Sequence, residues 1–334
     1  MKKIIDADSH MALVDCFDHP DVPISWSKAY RSRHQHHNFA VTEDWRSMWS
    51  RSVSQKIDQQ VINHYGLTTG LNYQEHPAMA VRLMRIYNDR MVRLCEESHG
   101  FFLPVAWLAL QDPVACLHEI DRLQDSKIVA FTIDDLIAVG QWEPGRRVIE
   151  HITAADRPIY IHFTTNQHWV NHRLPEYNGL DPLLLKHIHS TEWSAQCALG
   201  KIQWFMEMLS GLVSQEWLHA GSGHRVVLAE RGIDWIEQFQ EFSKAALKID
   251  PLPLFRSKFW FTTEPEHRGF VEDAARLGWD RLLYATDQGH DQGDCGGANA
   301  GLDVSTIDSL RLTEQQRDQL FFQNFENCFG HHSA

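Results

Sequence analysis

Met1-Lys2-Lys3-Ile4-Ile5-Asp6-Ala7-Asp8-Ser9-His10 opens the chain and governs how the rest of it is read. Two lysines, two β-branched apolar residues and then Asp, Asp and His describe a short buried strand with metal-ligand chemistry at its C-terminal end. Side chains two apart on a strand leave it on the same side, so an extended run through residue 10 puts Asp6, Asp8 and His10 on one face. The bland reading of the same residues is an edge strand followed by a surface turn, since Asp and Ser are turn formers. What decides between the two is whether other strands deliver similar side chains to the same place.

Working outward, residues 3–8 are the first of eight short strand candidates; the others are 60–65, 101–107, 128–133, 158–163, 225–229, 258–262 and 281–286. Most are near-continuous apolar runs rather than apolar/polar alternations, the pattern of parallel strands covered on both faces. Helical patterns lie between them. Pro77 opens a run carrying Val81, Met84, Met91 and Leu94 that closes at Gly100, and Asp112-Pro113 opens another with Val114, Leu117 and Ile120. Residues 143–155, 201–218, 233–247 and 266–277 continue the series, and Thr313 with Gln316 forms a capping box for the last helix. Eight strands alternating with helices predict a (β/α)8 TIM barrel, with a doubly wound open sheet as the alternative. No Gly-rich phosphate loop follows the early strands, which weighs against that alternative.

Three connections are much longer than usual, 11–59, 164–200 and 288–312. Each follows a strand, so a barrel places all three βα loops on its catalytic face. They carry Trp26, Trp45, Trp49, Trp169 and Trp193, either as walls of a pocket for a flat substrate or as small cores of the loops themselves. The strand ends supply the chemistry. Strand one ends at Asp8 with His10 beyond it, strand five at His162 and strand eight at Asp287. Two imidazoles and two carboxylates meeting at a barrel mouth suit one borderline divalent metal, Zn2+ first and Mn2+ behind it. Glu230, at the end of strand six, is a weak ligand or a substrate-facing acid.

Composition bounds the partners. The chain has 334 residues, 43% of them hydrophobic, and reads as a single domain over residues 1–334. Its formal net charge of -13 is spread along the chain, which makes nucleic acid and anionic membrane poor partners. A mean hydropathy of -0.38 and the lack of any long apolar run argue against a membrane span, and no apolar signal region follows the two lysines. A soluble, cytoplasmic protein is the expectation. Six cysteines without a CxxC pair fit reduced thiols. The partner that remains is a small molecule, aromatic or carboxylated; assembly into a homo-oligomer is compatible with the sequence and not specified by it.

Taken as a set, several motifs resemble the amidohydrolase superfamily, in the branch similar to aminocarboxymuconate-semialdehyde decarboxylase and the resorcylate-type decarboxylases. The carriers are Ile5-Asp6-Ala7-Asp8-Ser9-His10, Asn88, Pro104-Val105-Ala106 with Asp112-Pro113, Ile159-Tyr160-Ile161-His162, Val226-Val227-Leu228-Ala229-Glu230, Ala285-Thr286-Asp287 before His290, and Leu312-Thr313-Glu314 with Asn324 to Gly330. The resemblance implies a (β/α)8 barrel with one catalytic divalent metal. It matches His10, His162 and Asp287 to family ligands, and Asp8 to a position held by His, Glu or Asp. Two departures stand out. Asp8 replaces the second histidine of the His-x-His form, a harder site that moves the preference toward Mn2+. Glu230 stands where the decarboxylases have a catalytic histidine.

Two reactions fit such a site. In non-oxidative decarboxylation the metal holds a substrate carboxylate and a neighbouring oxygen while Asp287 delivers a proton to carbon. In hydrolysis of an amide, lactone or carbon-carbon bond, Asp287 takes a proton from a metal-activated water. Decarboxylation is favoured because the branch resembled is rich in it. A barrel that binds a ligand without turnover is a third reading, and retention of all four ligand positions weighs against it. Arg173 and Arg231 are candidates to pair with a substrate carboxylate, Trp169 to stack on the substrate, and His290, three residues after Asp287, to support a ligand or touch the substrate. His34, His36 and His37 read as a solvated loop, and His172, His187 and His189 as surface or packed residues, one of which could stand in for the strand-six histidine.

Overall fold

A computed structural model of the chain describes residues 3–11, 13–28, 31, 45–64, 76–133, 142–162, 223–229, 232–233, 235–263, 269–288 and 304–330. Among the described residues, nine short strands appear: β1 Ile5–Asp6, β2 His10–Met11, β3 Gln59–His64, β4 Phe102–Trp107, β5 Ala130–Thr132, β6 Ile159–His162, β7 Val226–Ala229, β8 Phe259–Thr262 and β9 Leu282–Leu283. β1 and β2 are two halves of one stave, since both pair with β3, so the sheet has eight staves in sequence order, all parallel. The last stave returns to the first. The Ala7 N–H donates to the Tyr284 carbonyl at 2.7 Å, the Asp287 N–H to the Asp8 carbonyl at 3.0 Å, and the His10 N–H to the Gln288 carbonyl at 2.7 Å. The result is the expected (β/α)8 barrel, with each expected strand found at its place.

Most of the strands form here because their residues are apolar on both sides, and a stave of this barrel is covered on both; β3, Gln59–His64, is instead largely polar and buried. Inside the cylinder, Ile5, Ala7, Val61, Leu103, Val105, Ala130, Tyr160, Val227, Ala229 and Leu283 fill one cluster. Outside it, the sheet and the surrounding helices share a second, larger cluster. The helix Pro77–Glu97 shows how its sequence sets its limits: proline occupies its first turn, where no N–H is needed, and Leu83, Met84, Tyr87, Met91 and Leu94 bury one face. It ends where Gly100, at φ 80°, turns its N–H back to the Cys95 carbonyl. Asp112 caps the helix Pro113–Leu123 by accepting from the Ala115 N–H, and Thr313 with Gln316 forms the expected capping box ahead of Glu314–Asp318.

Some boundaries differ from expectation. The segment expected to be helical over 233–247 begins at Ile236 and passes at Ser243 into a wider π turn that runs to Leu247. The long connection 11–59 contains a helix of its own, Trp45–Ser54. The expected helix over 201–218 lies outside the described residues. At the floor of the barrel, Phe325, Cys328 and Phe329 of the helix Asn324–Phe329 join the interior cluster. Asn324 ties that helix down by donating to the carbonyls of Trp279 and Leu282, at the N-terminal end of β9. The opposite, C-terminal ends of the strands carry the site.

One local irregularity matters most. Along the lower half of strand one, Ile5 pairs with Gln59 and Asp6 with Gln60; above it, His10 pairs with Asn63 and Met11 with His64. The offset between partners falls from 54 to 53 residues. One extra residue has therefore been taken up around Ala7-Asp8-Ser9, a bulge that reverses which residues face inward. The expectation that Asp6, Asp8 and His10 share a face is corrected accordingly. Asp6 points with Gln60 into the layer outside the barrel, whereas His10 points with Asn63 into the mouth.

Candidate metal centre at the barrel mouth

Four side chains converge at the C-terminal end of the barrel. His10 comes from β2, just beyond the bulge, and His162 is the last residue of β6; their Nε2 atoms lie 3.1 Å apart. The rings meet nearly edge to face, with centroids 4.5 Å apart. Asp287 Oδ1 lies 3.1 Å from His10 Nε2, and Asp8 Oδ1 lies 3.9 Å from the same nitrogen. Asp8, His10 and His162 are buried and offer ligand atoms that all fall within 4.8 Å of one another. Donor atoms that share one ion at about 2.0–2.1 Å sit roughly 3–3.4 Å from each other; the 3.1 Å contacts of His10 with His162 and Asp287 fall in that range, and Asp8, at 3.9 Å from His10, stands outside it. Two imidazole nitrogens and two carboxylates form a mixed nitrogen and oxygen set suited to Zn2+ or Mn2+.

The four differ in access. Asp8, His10 and His162 have side chains no more than 6% exposed, whereas the Asp287 side chain is 40% exposed. Three donors thus form a closed base, and the fourth stands at the lip. Asp287 has a positive φ of 50°, a left-handed conformation that Asp tolerates better than most residues. The next residue, Gln288, bridges in parallel to Ser9 on the first stave. The residue at the lip is held by backbone on both sides.

Behind this base, in the layer outside the barrel, lies the carboxylate of Asp6. Its Oδ1 accepts the Asp8 N–H at 3.2 Å and the Thr286 N–H at 2.9 Å. Its Oδ2 accepts from the Gln60 amide at 2.7 Å and from the Thr286 hydroxyl at 2.5 Å. Gln60 also donates to Gln288, and the Ser52 hydroxyl lies within hydrogen-bond reach of both glutamines. Burial pushes the Asp6 carboxyl up to about 6, against the lowering effect of the Thr286, Gln60 and Asp8 donors. Asp6 is thus the acceptor that fastens the two backbone segments carrying Asp8 and Asp287.

Tyr160 was not among the expected residues. It precedes His162 by two on β6, so the same period of two places both on the inner face. Its hydroxyl donates to Asp8 Oδ1 at 2.7 Å and lies 3.0 Å from the Ala7 carbonyl.

Other expected residues are placed differently or not described. Trp45 packs edge-on against Phe102 and Trp49 against Phe101, at the N-terminal end of β4 and outside the barrel. They are packing residues rather than walls of the mouth, and Trp26 is buried near His76. Glu230, His290, Arg173, Arg231 and Trp169 lie outside the described residues, as do Trp193, His172, His187, His189 and the histidines at 34, 36 and 37. Among the described residues, no helix is long and apolar enough to cross a membrane.

Comparison with known proteins agrees with this architecture. The family model described as amidohydrolase matches residues 65–329, about four-fifths of the chain. That match begins after the first stave, so Asp8 and His10 lie ahead of it. No curated protein sequence matches the chain. Among solved structures, a putative amidohydrolase from Staphylococcus aureus is similar with a TM-score of 0.70 and 16% identity, covering 99% of this chain and 100% of its own. The 5-carboxyvanillate decarboxylase of Sphingomonas paucimobilis aligns with a TM-score of 0.67 and 16% identity over 98% of each chain. A dihydroxybenzoic acid decarboxylase from Polaromonas sp. JS666, solved with manganese and the inhibitor 2-nitroresorcinol, aligns with a TM-score of 0.64 and 18% identity over 100% of this chain and 98% of its own. At these identities the likeness is one of fold.

Proposed function

The chain belongs to the amidohydrolase family, and from that premise we propose that it is a metal-dependent enzyme that removes carbon dioxide from a small aromatic or unsaturated carboxylic acid. The observation that carries the reading is the convergence of Asp8, His10, His162 and Asp287 at the barrel mouth, three of them buried and one at the lip. Those four residues would hold the ion. Manganese in the Polaromonas decarboxylase and the two carboxylates of this donor set favour Mn2+, with Zn2+ next. When bound, the ion supplies positive charge that fixes and polarises the oxygens of the substrate.

What the chain itself does can be stated residue by residue. His10 and His162 form the rigid base of the site, each set by strand geometry and burial. Asp287 faces the open side, where it can be protonated from solvent and reach a substrate carbon. In its acid form it gives a proton to the ring or alkene carbon that bears the carboxylate. The bond from that carbon to the carboxylate then breaks, its electron pair returns to the ring or alkene, and carbon dioxide leaves. Asp287 regains its proton from water. Arg173 and Arg231 are assigned to the substrate carboxylate, Trp169 to the substrate's flat face, Glu230 to a substrate-facing acid and His290 to a supporting role in the reaction.

The test begins with the purified protein reconstituted with Mn2+ or Zn2+, bound metal being measured by inductively coupled plasma mass spectrometry. The loaded protein is then incubated with hydroxybenzoates, 5-carboxyvanillate, muconate-type acids, lactones and amides. Loss of about 44 daltons from a substrate, the mass of carbon dioxide, is the expected result, and addition of the elements of water would replace the lyase reading with hydrolysis. A protein that takes up no metal under any condition would remove the site assignment altogether.

A further inference from the structure

We propose that Tyr160 is a positioning residue that sets the Asp8 carboxylate for metal binding, a role that rests on the metal-centre reading above. The phenol is wholly buried inside the barrel, and its hydroxyl touches the first stave at the bulge, where the ladder is interrupted. Two oxygens are in reach, Asp8 Oδ1 at 2.7 Å and the Ala7 carbonyl at 3.0 Å. One hydroxyl proton serves one of them at a time, and the shorter contact to a carboxylate is the stronger. Tyr160 therefore acts as a strut running from the stave that carries His162 to the stave that carries Asp8 and His10.

The bulge explains why a strut is needed there. Regular pairing orients a side chain by fixing its backbone on both sides, and the extra residue between Asp6 and His10 removes part of that constraint from Asp8. Asp8 is held from below by its N–H bond to Asp6 and from within by the phenol. The first bond fixes its backbone; the second fixes the direction of its carboxylate. Partners of ligating groups orient those groups, and their removal typically weakens metal binding about 10- to 100-fold.

The experiment compares metal dissociation constants, measured by chelator competition with Mn2+ and Zn2+, for the wild type and for Tyr160→Phe, which keeps the buried ring. Thermal melting of both metal-free proteins verifies that the variant is folded. The expected result is a 10- to 100-fold weaker constant in the variant, with a changed visible spectrum of the Co2+-loaded form. If the tyrosine acts through Asp8, Tyr160→Phe has no further effect in an Asp8→Ala background, where no side-chain oxygen is left for the phenol to hold. Unchanged constants and spectrum in Tyr160→Phe overturn the assignment, as does an equal loss in both backgrounds. A wild type that binds neither ion fails the metal-centre reading itself, whereas a metal-loaded wild type with an unaffected variant fails this inference alone.

Discussion

Replacing Asp6 by alanine is expected to destabilise the barrel and loosen its metal centre together. The carboxylate is fully buried and accepts four hydrogen bonds: from the backbone N–H groups of Asp8 and Thr286, the Thr286 hydroxyl and the Gln60 amide. Alanine leaves all four donors without that acceptor. At about 1–3 kcal/mol for each buried donor left unsatisfied, the gross cost is roughly 4–12 kcal/mol. Two effects reduce it: the vacated space is about the size of one water, which can serve some of the donors, and the desolvation of a buried carboxylate is removed. A net loss of about 3–5 kcal/mol is expected, a large share of the roughly 5–15 kcal/mol that holds a typical protein folded. Urea unfolding of the metal-free protein measures it, because bound metal would add its own stabilisation. Asp6→Asn keeps one acceptor oxygen for the two backbone donors and lets Gln60 turn its amide, so its cost is expected to be about 1–2 kcal/mol. A loss below about 1 kcal/mol for Asp6→Ala, with metal affinity unchanged, would refute the claim that this carboxylate fastens the two ligand-bearing segments.

Other perturbations separate the tasks at the mouth. His162→Ala removes one buried donor and is expected to deplete bound metal; undiminished metal content by elemental analysis would take His162 out of the ligand set. Asp287→Asn is expected to abolish turnover while much of the metal stays bound, because its side chain stands at the exposed lip, and full activity in that variant would end its proton-transfer role. Cys16, Cys95, Cys116 and Cys328 are buried, and burial pushes their thiols up. They are expected to react with a thiol reagent only after denaturation, so fast labelling of any of the four in the native protein, located by peptide mapping, would contradict the packing described.

Much of the fold was legible because its signals are local. Most staves are short apolar runs that state their own burial on both faces without reference to their neighbours; β3, Gln59–His64, with four polar residues, is the exception. The proline at Pro77, the Asp112-Pro113 pair and the Thr313 to Gln316 spacing mark helix starts through bonds made within a few residues. The tryptophans of the first long connection were harder to place. Trp45 and Trp49 sit in a helix that packs beside β4, and nothing in their immediate sequence distinguishes a pocket wall from an outer packing layer.

The candidate site was legible as a set of strand ends but not as an arrangement, and the reason lies in register. Ala7-Asp8-Ser9 has the same composition whether the strand runs straight or takes up an extra residue, because the offset is a property of the pair it makes with β3. A straight strand would place Asp6, Asp8 and His10 together, putting a third carboxylate at the mouth and leaving the Thr286 and Gln60 donors without their shared acceptor. The bulge divides the two acids. Asp6 goes outward to hold backbone, and Asp8 stays at the mouth, where Tyr160 directs its carboxylate. A single added residue thus separates an acid that stabilises the barrel from one that can serve its chemistry, and the separation can be seen only when the partner strand is in view.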